Sequence, residues 1–277
     1  MTEHDTTNWK TATRRGALKA GAVGAALLAG AGSIGTVAAK GRNARTVLHP
    51  TYAGLQSGAV GSDDAHTLSG SWQTNVSNSQ KEDTGSKLQL YLAPGDLFTH
   101  AGDVTIDDLT HVSYYTKKGT ETSGTHPYNV YLQIYTEPDG VDDKASWYGY
   151  RLTAEPYFAE SLDAPGGEWV QWSTTSGDNQ LTFFDDSYVG YGFYGGQPTL
   201  GELQSGSIDW SARKSGAPST NIDYGSEVIK YVTFQTGSGY PSDVTPLLDT
   251  IEVGVDASAG RGRGSDNGQV ARIDLEP

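Results

Sequence analysis

The chain has no cysteine and a single methionine in 277 residues. Without thiols there is no disulfide framework, zinc–thiolate centre, cysteine nucleophile or lipidated cysteine. Basic residues are scarce as well: 19 Lys and Arg stand against 33 Asp and Glu, a formal net charge of −14. A surface of that sign cannot gather phosphate backbones by counterion release and is repelled by anionic lipid, which argues against nucleic-acid and membrane-surface roles. Signatures of common enzymes are missing too. No serine sits in G-x-S-x-G, and neither H-E-x-x-H nor a Walker A sequence occurs. The letters G-x-G-x-x-G occur at Gly30, Gly32 and Gly35 and again at Gly190, Gly192 and Gly195. The second copy runs into Gly196-Gln197-Pro198 instead of opening a helix, so no helix dipole is there to receive a pyrophosphate.

What is present suits strands and turns: 36 glycines, 16 tyrosines and six tryptophans. The exception is the N-terminus. Thr13-Arg14-Arg15-Gly16-Ala17-Leu18-Lys19 precedes a glycine- and alanine-rich apolar run from Ala20 to Ala39. This stretch resembles the twin-arginine export signal in its paired arginines, leucine, lysine and weakly hydrophobic run, with Ala17 where an aromatic residue or leucine is preferred. Val37-Ala38-Ala39 offers small residues for cleavage. The resemblance implies a signal peptide over 1–39 and a secreted, extracellular protein with no membrane insertion after cleavage. Beyond Ala39 the balance is 15 basic to 31 acidic residues. Beside an export route for folded proteins, that acidity looks like a salt-loving archaeon's secreted protein, its carboxylates holding water in molar salt.

Residues 40–62 read as a flexible leader with an edge strand near Thr46 to His49. Period-2 alternation then recurs. Leu88, Leu90 and Leu92 alternate with Gln89 and Tyr91; Val112, Tyr114 and Thr116 recur within Thr110 to Lys117; Val130, Leu132 and Ile134 alternate with Tyr131, Gln133 and Tyr135. Trp147 to Thr153, Trp169 to Trp172, Glu227 to Gln235 and Leu248 to Val255 continue the pattern. In the third of these, Ile229, Tyr231 and Thr233 share one face. Pro94-Gly95, Lys118-Gly119, Pro138-Asp139-Gly140 and Gly237-Ser238-Gly239 supply turns. A short helix is expected from Thr199 to Gln204. Roughly eight antiparallel strands predict an all-β, two-sheet antiparallel jelly-roll sandwich over 63–256. Gly260-Arg261-Gly262-Arg263-Gly264 and its polar flanks predict a flexible tail over 257–277.

The mature chain's histidines, His49, His66, His100, His111 and His126, form no short-spaced metal pair. If the protein is a glycosidase it needs two carboxyl groups, acid and base or nucleophile, and Glu155 and Glu168 are the candidates. Aromatic residues are the stronger signal. A sugar ring packs its axial C–H groups on an aromatic face while carboxylates, amides and guanidinium groups bind its hydroxyls. That chemistry singles out Trp147, Tyr150, Arg151, Tyr157, Trp169 and Trp172 as ligand-binding candidates. Alternation sends one of Trp169 and Trp172 inward.

The strand rhythm from Asp64 to Asp256, the run Trp147 to Tyr157 and the end Leu248-Asp249-Thr250-Ile251-Glu252-Val253 resemble the carbohydrate-binding-module-like, galactose-binding-type jelly rolls of secreted proteins. The resemblance implies a non-catalytic protein that binds polysaccharide or cell-surface glycan, and a structural calcium held in part by Asp249. The alternatives are a glycoside hydrolase or polysaccharide lyase of the same fold and a structural surface or adhesion protein.

Overall fold

A computed structural model describes residues 45–48, 59–74, 88–98, 102–118, 129–137, 152–159, 166–177, 179–185, 187–189, 195–237, 245–256 and 268–276. The chain divides into Met1–Thr36, outside the described residues together with the whole export-signal segment, and Val37–Pro277, to which everything below belongs.

Among the described residues, eleven strands build two sheets: β1 (Arg45–Leu48), β2 (Ala59–Ser62), β3 (Ser71–Thr74), β4 (Gln89–Leu92), β5 (Leu109–Lys117), β6 (Tyr131–Glu137), β7 (Leu152–Ala154), β8 (Trp169–Ser173), β9 (Val228–Gln235), β10 (Leu247–Val255) and β11 (Gln269–Leu275). The helices are short: α1 (Pro94–Leu97), α2 (Leu200–Ser205) and α3 (Trp210–Arg213). The small sheet runs β4-β9-β6-β7, all antiparallel. The large sheet has seven strands in the order β1-β11-β10-β3-β2, with β5 on β10 and β8 on β5. Its β1–β11 pair is parallel. The protein is the all-β sandwich that the sequence predicts.

The alternation explains which side of each strand is buried. Leu90, Leu132, Ile134, Val232 and Phe234 of the small sheet meet Val112, Tyr114, Trp172, Ile251 and Val253 of the large one in a single core. Tyr114 and Phe234 touch edge to face across it, ring centroids 5.0 Å apart. Polar tips entering this core find partners: the Tyr114 hydroxyl donates to the Val130 carbonyl at 3.2 Å, and Trp172 Nε1 donates to Thr116 Oγ1 at 2.7 Å.

Three register shifts break the period, one of them in β5–β10 between Gly254 and Val255. The β6–β9 register shifts between Tyr135 and Thr136, leaving Lys230 as the extra residue. Ile229 therefore turns into the core instead of joining Tyr231 and Thr233 on the outer face, correcting the face predicted for it. The β5–β10 register shifts at Thr250, a β-branched residue held at φ 42°. α2 forms where expected, with Thr199 and Glu202 closing a capping box.

The termini differ from expectation. β1 lies where an edge strand was anticipated, but Ala59–Ser62 of the expected leader also pairs, with β3. More consequentially, Gln269–Leu275, expected as tail, is β11, an inner strand between β1 and β10. Its alternation of Ala271, Ile273 and Leu275 with Arg272 and Asp274 was obscured by the glycine-rich, charged stretch before it. Asp274 and Glu276 are buried nonetheless, because the β2–β3 connection lies over them.

Candidate functional site

The three longest outer-face patterns of the small sheet are Gln89-Leu90-Tyr91, Tyr131-Leu132-Gln133-Ile134-Tyr135 and Tyr231-Val232-Thr233-Phe234-Gln235. Each sends its leucine, isoleucine, valine or phenylalanine to the core and its tyrosine, glutamine or threonine outward. Pairing then sets Gln89 and Tyr131 beside Gln235, and Tyr91 and Gln133 beside Thr233. A chain of side-chain hydrogen bonds crosses all four strands. Gln89 Nε2 donates to Gln235 Oε1 at 3.1 Å. Gln235 Nε2 donates to Gln133 Oε1 and to Thr233 Oγ1, and Gln133 Nε2 donates to Thr153 Oγ1 at 3.2 Å. Gln133, Thr153, Thr233 and Gln235 are buried, so the ladder must be satisfied internally, and it is.

Beside this ladder sit Tyr91, Tyr135 and Tyr231, all partly exposed, with ring centroids 5.8, 5.9 and 6.2 Å apart. Burial raises the Tyr91 pKa, a hydrogen bond with the Tyr135 side chain opposes this, and the Tyr231 hydroxyl adds to the rise. The Tyr91 phenol therefore stays neutral near neutrality, and the three tyrosines present ring faces and hydroxyls on an amide floor. Such a surface can stack on C–H groups and exchange hydrogen bonds with hydroxyls.

The large sheet carries a second outward aromatic group. His66, in the connection between β2 and β3, stacks on Tyr115 of β5 with centroids 3.6 Å apart and 16° between planes, and lies 5.9 Å from the Trp169 ring. Gln171 opposite Tyr115 is exposed, and Lys117 opposite Trp169 pairs with Asp64 at 2.5 Å. Further along the same face lie His111 and the ion pair of Glu252 with Arg272, whose Nε is 2.7 Å from Glu252. Gly254 leaves room for the His111 ring, from which a Cβ there would lie 2.4 Å.

No family model matches the chain, and neither curated proteins nor solved structures gave a match.

The functional reading therefore rests on where the candidate residues fall. Trp147, Tyr150 and Arg151 lie outside the described residues. Trp169 and Trp172 take opposite faces, as three-residue spacing on a strand requires. Trp169 is partly exposed, while Trp172, 1% exposed and hydrogen-bonded to Thr116, is a core residue and not a platform. Tyr157, half-buried in the turn Pro156–Phe158, meets Phe158, which packs on Phe184. Glu155 is buried after the small sheet's edge strand, and Glu168 is exposed before the large sheet's edge strand. Those two carboxylates flank edge strands of different sheets.

The tyrosine–glutamine face was legible as alternation but passed over as a candidate. Its signal is the recurrence of Tyr and Gln at non-core positions of three strands, where Lys, Glu or Ser would serve an ordinary solvated face.

Asp249 lies where β10 is flanked on one side first by β3 and then by β11, and its own position is left without a ladder partner there. Its Oδ2 accepts the backbone N–H groups of His66 and Thr67, both at 3.0 Å, and its Oδ1 accepts that of Thr250 at 2.6 Å. Burial pushes its pKa up to about 6; the amides of Thr67, Thr250 and His66 oppose this, and the charge of Asp274 reinforces it. Calcium needs six to eight oxygens converging on one point. Here N–H groups converge on the carboxylate, and no group of three acidic or histidine side chains among the described residues is placed to hold a metal ion. The surroundings of Asp249 do not fit the calcium that the family resemblance implies.

Proposed function

We propose that the protein is a secreted, non-catalytic binder of polysaccharide or cell-surface glycan, exported by the twin-arginine route and adapted to high salt. The observation that carries this reading is the small sheet's outer face, where Tyr91, Tyr135 and Tyr231 cluster beside a fully hydrogen-bonded ladder of glutamine and threonine. Rigid aromatic faces flanked by neutral hydrogen-bonding groups suit sugar rings and require no charge on the ligand. The outward Trp169 beside His66 and Tyr115 offers the same chemistry on the other sheet. The separate placement of Glu155 and Glu168 lends no support to a two-carboxylate hydrolase.

The test is binding of the purified protein to a panel of neutral and acidic polysaccharides in molar salt. Tyr91→Ala or Tyr231→Ala should weaken the binding about tenfold or more, equivalent to about 1.4 kcal/mol. Absence of binding across the panel, or binding indifferent to both substitutions and to Trp169→Ala, overturns the reading. Export is tested separately: Arg14→Lys with Arg15→Lys should leave the folded protein inside the cell.

A further inference from the structure

The misfit between Asp249 and calcium has a counterpart in what the neighbouring acids do. β10 pairs with β3 through Leu247 and Leu248 and with β11 through Ile251 to Val255, so a gap opens beside Asp249 and Thr250. Three carboxylates border it: Asp249 on β10, Asp274 at the end of β11, and Glu276 just beyond. All are buried. The connection from Asp63 to Gly70 crosses the gap and gives each of them hydrogen-bond donors. Thr67 bridges two strands, its N–H going to Asp249 and its hydroxyl to Asp274 Oδ1 at 3.1 Å. Ser69 gives both its N–H and its hydroxyl to Glu276, at 3.1 and 2.5 Å. Thr67 and Thr250 hydroxyls lie 2.7 Å apart, which fastens the strained φ of Thr250. The connection is further tied at its start, where Lys117 meets Asp64, and His66 is laid on Tyr115 at its middle.

We propose that Asp249, Asp274 and Glu276 form a metal-independent clamp that seats residues 63–70 across the fork in the large sheet and so builds the His66–Tyr115–Trp169 aromatic surface. A cation bridging strand and connection needs free oxygen atoms from both; this connection turns backbone N–H groups toward Asp249 and uses its Thr67 and Ser69 hydroxyls as donors to Asp274 and Glu276, an arrangement that carboxylates accept and a cation repels. The clamp thus does with amide and hydroxyl donors what a bound ion does elsewhere with charge. It stands whether or not the small sheet's tyrosines bind glycan, since it concerns how the opposite face is assembled.

The test uses the full chain stripped with a chelator and then titrated with calcium chloride in molar sodium chloride, followed by thermal unfolding and by amide hydrogen exchange. The His66 and Thr67 amides should exchange slowly in chelator, and millimolar calcium should leave both their protection and Tm unchanged. Thr67→Val, milder than any charge deletion, should lower Tm by about 2–6 °C and speed exchange at His66, with no recovery on adding calcium. Calcium-dependent protection of these amides, or a calcium-dependent rise in Tm abolished by Asp249→Asn, overturns the proposal. So does free exchange of both amides in the wild-type protein under every condition.

Discussion

His66 lies flat on Tyr115, 3.6 Å between ring centroids, although the two come from different parts of the chain and only Tyr115 belongs to a strand. The contact joins the β2–β3 connection to the outer face of the large sheet and gives Trp169 an aromatic neighbour. His66→Ala should therefore weaken any ligand that stacks on Trp169 by several-fold while leaving the inter-sheet core intact. Parallel titrations of wild type, His66→Ala and Trp169→Ala check this. Equal affinity in all three would remove this face from consideration as a binding surface.

Trp169 and Trp172 offer an internal control for the orientation of β8. Trp172→Ala deletes a buried ring and leaves Thr116 Oγ1 without its donor, and should destabilise the protein by about 3–5 kcal/mol. Trp169→Ala, on the outer face, should change stability by about 1 kcal/mol or less. Denaturant unfolding of both variants measures the difference, and similar losses would mean that the strand is placed with the wrong face inward.

Gln235 is the central link of the amide ladder, accepting from Gln89 and donating to Gln133 and Thr233. Gln235→Leu keeps the bulk but leaves Gln89 Nε2 and Gln133 Oε1 without that partner. A loss of about 1–3 kcal/mol is expected, the penalty of buried polar groups left unmade. Because the ladder floors the tyrosine cluster, near-ultraviolet circular dichroism of the tyrosines should change as well. A neutral substitution with unchanged spectra would show that the ladder is not rigid.

Burial lowers the pKa of His111; the nearby carboxylate of Glu252 opposes this and the Arg272 guanidinium adds to it. A folded value below the unfolded one means that the fold prefers the neutral ring. The contribution is present above about pH 6.5 and is lost as the pH falls through the lowered folded value. Urea unfolding between about pH 7.5 and about pH 5 should show this acid-side loss, and His111→Gln should flatten it. An unchanged slope in the variant would assign the acid sensitivity elsewhere.

Strands whose core positions are all strongly apolar were legible from sequence. Leu88, Leu90 and Leu92, or Val130, Leu132 and Ile134, leave no doubt about which face is inside. Ile229 was misread because one bulged residue, Lys230, inverts every position before it, and nothing local to the sequence marks that insertion. β11 was missed because its burial depends on partners far away: Asp274 and Glu276 look like surface acids until the β2–β3 connection covers them. Of the candidate site, alternation set Trp169 and Trp172 on opposite faces, but which of the two points outward depends on the partner strand and is decided by the burial of Trp172. The Tyr91–Tyr135–Tyr231 cluster could not be assembled, because it needs the strand order β4-β9-β6, which no single strand encodes.

That β11 is an inner strand also sets the order in which the molecule can be made. Arg45 pairs with Arg272, so among the described residues β1 finds its ladder partner only across most of the chain, whereas β11 reaches β10 after a short connection. Until that long-range pairing closes, β1 and the β11 side of β10 present open strand edges, a state prone to intermolecular pairing. For this protein the hazardous step is the seating of β11 between β1 and β10.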